Sequence, residues 1–252
     1  MATEKAKKSF KERLAEKRKK MAQKGGSDKL IFLKEGTLRI RILNVGAEKD
    51  FSMEVTQFYL GPEIKGVFSP ATFGMPCAIM EKYEELKNSK KKADKDLAKL
   101  LVPKKKSLIP VAAFKDTAGK ELDTESIGKL IPISNGLCGQ IIDYYLDEDE
   151  WGDFMNPESG YDFKLIRSGS GKFDTEYSAK PCKPTPAPKA LSKKTYDLEE
   201  MVKAIMPTYE ETEEKLIEFL AGNPSSDIDD DEDERPRKSK KAKRSHRDDD
   251  DE

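Results

Sequence analysis

The stretch Gly36-Thr-Leu-Arg-Ile-Arg-Ile-Leu43 decides the fold class. Leu38, Ile40 and Ile42 alternate with Thr37, Arg39 and Arg41, the period of two that a strand with one buried face requires. Arg39 and Arg41 share the other face, so the pattern predicts both guanidinium groups pointing outward. Further strands follow at short intervals. Met53 to Leu60 is rich in Val, Thr, Phe and Tyr and stops at Gly61-Pro62, with Val67-Phe68 as its return. Leu108 to Phe114 runs into a turn at Lys115-Asp-Thr-Ala-Gly119. Tyr161 to Arg167 and Phe173 to Ala179 form a last pair around the turn Ser168-Gly-Ser-Gly171. Phe58 and Tyr59 point to opposite faces, which predicts one buried and one free for stacking.

Helical texture interrupts these strands. Ala78 to Leu101 is helix-prone, becomes very basic and leads into Lys104-Lys-Lys106. Leu137, Ile141, Ile142, Tyr145 and Leu146 fall on one helical face, which predicts a helix packed on the sheet. Capping-box spacing at Asp197/Glu200 and Thr208/Glu211, with Gly222 as a stop, predicts two short C-terminal helices. The chain then reads as a basic N-terminal arm (1–27), a mainly β core with α insertions (28–180, helical insert near 75–103), an extended Pro-rich linker (181–196), short helices (197–222) and a charged tail expected to be disordered (223–252).

Charged residues make up 38% of the 252 and hydrophobic ones 36%, and a net charge of −1 conceals strong segregation. Lys and Arg crowd the arm and the middle; Asp and Glu crowd the tail. Such asymmetry points to an electrostatic partner, nucleic acid first. No run approaches the roughly 20 apolar residues of a membrane span, and the arm lacks the apolar segment of a secretory signal. A soluble, cytoplasmic protein is expected. Cys77, Cys138 and Cys182 are odd in number and far apart, which reads as reduced, mostly buried thiols.

No reactive set can be assembled. The single histidine, His246, lies in the tail, which removes imidazole chemistry from the core. Arg167-Ser-Gly-Ser-Gly-Lys172 is similar to the end of a phosphate-binding loop, but Ile166 and Phe173 stand where Gly and Ser or Thr belong. The acids from Asp147 to Asp153 read as a solvated loop beside an exposed Trp151. No catalytic residue, metal or cofactor is expected.

What remains is cations interleaved with aromatics on strands, the means of gripping single strands: phosphates are neutralised while bases stack on rings. The candidates are Arg39, Arg41, Tyr59, Lys104, Lys105 and Lys106 at the entrance to the fourth strand, then Lys115, Arg167 and Lys172, with Phe173 and Tyr177 on one strand face. Each has a plainer counterpart. The arginines can be a solvated strand face, and Phe173 and Tyr177 can be core.

The order of these features resembles the single-stranded-DNA-binding proteins of T-even-type tailed bacteriophages. The resembling pieces are Gly36 to Leu43, Pro76-Cys77 before a basic helical insert, Lys104 to Phe114, and Asn156-Pro-Glu-Ser-Gly-Tyr-Asp-Phe-Lys-Leu-Ile-Arg167 continuing to Gly169-x-Gly171 and Thr175-Glu-Tyr177. The resemblance implies an oligonucleotide-binding (OB) fold, a small Greek-key barrel, that coats single strands in phage replication, recombination and repair within the host cytoplasm. It implies cooperative contacts between neighbouring copies through the arm, with Lys5, Lys7, Lys8 and Ser9 matching. It also implies an acidic tail that recruits replication and recombination proteins and competes with DNA, with Asp229, Asp230, Asp231, Glu232, Asp248, Asp249, Asp250 and Asp251 matching. Two departures stand out. The family's zinc site of His and Cys is reduced to Cys77, so the insert must be held by packing, and Ser107 and Leu108 stand where the family has stacking aromatics. Other classes compatible with the sequence are an acidic-tailed interaction scaffold, an RNA-binding protein and a metal-dependent nuclease.

Overall fold

In the computed structural model, which describes residues 26–46, 48–64, 66–169 and 174–222, the sheet is organised around one long strand. The strands are β1 (Gly36–Ile42), β2 (Met53–Tyr59), β3 (Gly66–Phe68), β4 (Lys104–Ala113), β5 (Lys129–Ile133), β6 (Phe163–Ser168) and β7 (Glu176–Pro181). They form one sheet in the order β3-β2-β4-β1-β6-β7, with β5 added on β4. Every ladder between named strands is antiparallel. Ser107 and Leu108 pair with both β2 and β5, while Val111 pairs with both β1 and β5. β5 therefore occupies one edge of β4, and β2 and β1 take successive lengths of the other. A strand shared in this way belongs to a curled sheet.

β4 can hold three partners because it is apolar on both faces. Ile109, Val111 and Ala113 join Ile40, Ile42, Phe154, Tyr161, Phe163 and Leu165 in the main core. Leu108 packs on the opposite side with Val45, Val55, Leu198 and Val202, and Ala112 with Leu43 and Leu191. The sheet is thus covered on both sides, whereas the alternation in β1 predicts one open face.

The helices are a single turn α1 (Gly61–Ile64), α2 (Ala78–Asn88), α3 (Lys92–Leu100), α4 (Asn135–Leu146), α5 (Leu198–Lys203) and α6 (Tyr209–Gly222). The helix-prone run from Ala78 is two helices. Ser89 adopts an extended conformation, and its hydroxyl donates to Asp94 at 2.5 Å while accepting from the Lys91 N–H at 3.1 Å. α2, α3 and α6 enclose a core of their own with Phe58, Leu86, Leu97, Leu216 and Phe219. The buried Thr212 of α6 accepts a hydrogen bond from the Ala78 N–H, supplying the N-terminal cap that Cys77 lacks. The caps form where the spacing predicts: Asp197 accepts from the Glu200 N–H, and Thr208 and Glu211 make a full box, Thr208 accepting from the Glu211 N–H and the Glu211 carboxylate from the Thr208 N–H.

Several expectations are corrected. β4 begins at Lys104, so the three lysines stand inside the ladder opposite Gln57, Thr56 and Val55. β5 was not foreseen. Trp151 is half-buried, packed on Tyr144 and Tyr161 with ring centroids 5.9 and 5.3 Å away. On α4 only Leu137 and Ile141 of the five apolar positions are buried. The Pro-rich segment is docked on the body: Thr185 and Ala187 donate to the carbonyls of Gly160 and Pro157, and Leu191 is buried.

Candidate nucleic-acid interface

The β6–β7 ladder sets Arg167 opposite Tyr177. At the connection beyond it Gly169 has φ +80°, and a Cβ there would fall 2.1 Å from the Asp174 carbonyl oxygen, so the turn needs glycine. Arg167 and Tyr177 line one wall of a cleft of about 240 Å³, shared with Lys106 of β4 and Gln57 of β2. Phe32 and Leu33 come from the segment that precedes β1, which is held by the Ile31 N–H donating to the Leu130 carbonyl at 2.9 Å. Pro132 and Ile133 of β5 and Leu137 of α4 complete the lining. Phe32 is 54% exposed and Tyr177 42%. Two cations and two open rings therefore meet in one concavity.

Both cations are under-satisfied there. Among the described residues the Arg167 Nε is buried without a hydrogen-bond partner, and the guanidinium's one hydrogen bond there is long, 3.4 Å from Nη1 to the Leu33 carbonyl. Leaving such a donor unmade costs about 1–3 kcal/mol. Burial, and then the neighbouring Lys104, hold the Lys106 ammonium below its usual range. An anion entering the cleft relieves both.

The other expected contacts are placed as follows. Tyr59 is 54% exposed and Phe58 buried, as their opposite facing predicts. Gln57 pairs with Lys104, so Tyr59, two residues on, extends the same strand face beyond the cleft. Lys105 is exposed but bonded to Glu54 at 2.6 Å. Hydrogen bonds from Lys105 and Asn135 hold that carboxyl below the usual range. Lys115 is exposed and paired with Glu121 at 2.5 Å, a bond that raises its ammonium pKa. Lys172 and Phe173 lie outside the described residues, as do Lys5, Lys7, Lys8 and Ser9 of the arm and Asp229 to Glu232 and Asp248 to Asp251 of the tail.

Arg39 and Arg41 do not point into solvent. Arg41 donates to Asp162 at 2.5 Å and to Thr185, and Arg39 donates to the other oxygen of the same carboxylate at 2.8 Å. The side chains are 12%, 4% and 2% exposed for Arg39, Arg41 and Asp162. Arg39 also donates to the Ala118 carbonyl and sits 5.3 Å from the Phe114 ring centroid. Gly119 makes room for it, since a Cβ there would lie 2.2 Å from the guanidinium carbon. The physical reason is the docked Pro-rich segment and the 115–121 turn, which cover the face that alternation left open.

The geometry defines a cationic, ring-edged groove on a curled β sheet. Among the described residues no group of three or more His, Cys, Asp and Glu could hold a metal ion, and no helix is long and apolar enough to cross a membrane. The chain matches the family described as gp32 DNA binding protein like over residues 34–220, most of its length, and belongs to that DNA-binding family. No curated protein matches it.

Of the residues expected from the sequence, Lys106, Arg167 and Tyr177 come together in the cleft; Phe32 and Gln57 line it too and were not among them. Phe32 sits in Leu30-Ile-Phe-Leu-Lys34, a run with no strand alternation to mark it; only its isolation as an aromatic beside the hinge glycines could have drawn notice.

Proposed function

We propose that this protein binds single-stranded DNA without sequence preference, in the cleft between Phe32, Lys106, Arg167 and Tyr177, and catalyses no reaction there. The observation that carries the reading is the Arg167 guanidinium, short of partners among the described residues, in a groove that two open rings also line. A phosphate supplies the missing acceptor, and unpaired bases supply faces for the rings. Duplex DNA keeps its bases stacked inside and has nothing to offer Phe32 and Tyr177. Tyr59 and Lys104 extend the track, and Lys172 and Phe173, between β6 and β7 in sequence, are assigned to the same interface. Lys105 and Lys115 contribute less, because each already has a carboxylate. Arg39 and Arg41 position the sheet without touching the strand.

The sharing of β4 between β2 and β1 along one edge supports an OB-type barrel for the core. On this reading the protein coats transient single strands in phage replication, recombination and repair in the host cytoplasm. Lys5, Lys7, Lys8 and Ser9 link neighbouring copies, and the acidic tail contacts replication proteins and competes for the cleft. Removing residues 225–252 then strengthens DNA binding.

The test is a competition assay in which single-stranded DNA, duplex DNA and RNA of equal length displace a labelled oligonucleotide, with and without Mg²⁺ or Mn²⁺. Single-stranded DNA is expected to compete best and to be recovered intact. Equal competition by duplex DNA, or cleavage in the metal lanes, overturns the reading.

A further inference from the structure

The buried arginine pair carries one charge too many. Arg39 and Arg41 share the single carboxylate of Asp162, and among the described residues no other ion pair joins either arginine. Arg41 is the more deeply buried of the two. Its Nε donates to Asp162 and its Nη2 to Thr185. Its Nη1 is buried and has no hydrogen-bond partner. A buried cation short of acceptors is costly, so the free N–H groups call for an electron-rich partner.

Arg41 also lines a cavity of about 20 Å³, where the Pro-rich segment meets the end of β1. Asn44, Met155, Pro157, Leu191 and Ser192 form much of the rest of its wall. One water needs about 10–15 Å³, so the cavity takes a single water or a monatomic ion and excludes a phosphate. Its polar side chains can donate. Asn44 uses its carbonyl oxygen on the Gly46 N–H at 2.7 Å, which leaves its NH2 group to give. The Ser192 hydroxyl holds a long bond, 3.4 Å, to the Lys189 carbonyl and can turn its proton inward. A water needs acceptors for its own hydrogens; an anion needs none and also answers the surplus charge.

We infer that this cavity binds a chloride ion, held by Arg41 Nη1 with Asn44 and Ser192 donating beside it. The ion matches both the volume and the charge left over when one carboxylate serves two guanidinium groups. It seats the Pro-rich segment on β1, because its ligands come from both. The site shares no lining residue with the nucleic-acid cleft, and neither reading depends on the other.

The test is amide hydrogen exchange on the full-length chain, read by mass spectrometry, with sodium chloride exchanged for sodium glutamate at one ionic strength. Chloride is expected to slow exchange in peptides covering 41–44 and 185–192, saturably and by about tenfold at about ten times its dissociation constant. Peptides of α2 and α3 stay unchanged. Bromide acts as chloride does, and phosphate, too large for the cavity, gives no such protection. Ser192→Leu, which fills the cavity and whose folding circular dichroism verifies, removes the chloride effect. The wild-type comparison stands without the variant. No chloride effect at these peptides, an equal effect along the whole chain, equal protection by phosphate, or an effect undiminished in folded Ser192→Leu overturns the site.

Discussion

Arg41 and Asp162 meet inside the protein, Nε to Oδ1 at 2.5 Å, with 4% and 2% of their side chains exposed. Asp162 also holds Arg39, so one carboxylate answers two guanidinium groups. Through them β1, the residue that leads into β6, the 115–121 turn and the Pro-rich segment are tied together.

Asp162→Ala leaves two buried cations without their anion. Breaking such a cluster costs about 3–5 kcal/mol. Urea unfolding is expected to show that loss in stability, while single-strand affinity, measured where the variant remains folded, stays close to wild type. A stability change under half a kcal/mol would mean the cluster is not closed in solution.

Phe32→Ala and Tyr177→Ala act in the opposite sense. Both rings are open to solvent, and stacking is worth about 1–3 kcal/mol per base. Each substitution is expected to weaken single-strand binding by about 5- to 150-fold while the unfolding midpoint hardly moves. Fluorescence anisotropy beside a denaturant curve separates the two effects; unaltered affinity in both variants removes the rings from the interface.

Lys106 carries a pH signature. Burial and Lys104 hold its ammonium below the ordinary 10.5, so the folded protein releases this proton before the unfolded chain does. Across that window the unfolded chain binds more protons, and this residue's contribution makes stability rise with pH. DNA reverses the shift, because a phosphate draws the proton back. Affinity is therefore expected to fall as pH climbs through the window, with proton uptake on binding seen by calorimetry in buffers of different ionisation enthalpy. Lys106→Met should abolish the uptake; uptake that persists in that variant belongs to another group.

How far the sequence could be read follows from these same residues. β1, β2 and the β6–β7 pair were legible from alternation and turn chemistry, and α5 and α6 from their caps. β5 escaped because Pro132 interrupts Lys129-Leu-Ile-Pro-Ile133, and proline disfavours a strand; its place as an added edge strand on β4 is where proline is tolerated. Alternation separated Arg39 and Arg41 from Leu38, Ile40 and Ile42 correctly. It could not say that both faces were covered, since the covering comes from Asp162, Ala118 and Thr185, all distant in sequence. The cleft was half legible: its cations announced themselves, while Phe32 reaches it only through a tertiary contact with β5.

The central claim is that Lys106 and Arg167 meet phosphates of an unpaired strand, and the salt dependence of binding addresses it most directly. For single strands log K falls with log salt at about −0.7 per phosphate neutralised. Two or more contacts predict at least a tenfold loss of oligonucleotide affinity between about 50 and 300 mM NaCl. Lys106→Met and Arg167→Met are each expected to flatten the slope by about 0.7. Equal affinity at both salt concentrations, or slopes that neither substitution changes, would contradict the account.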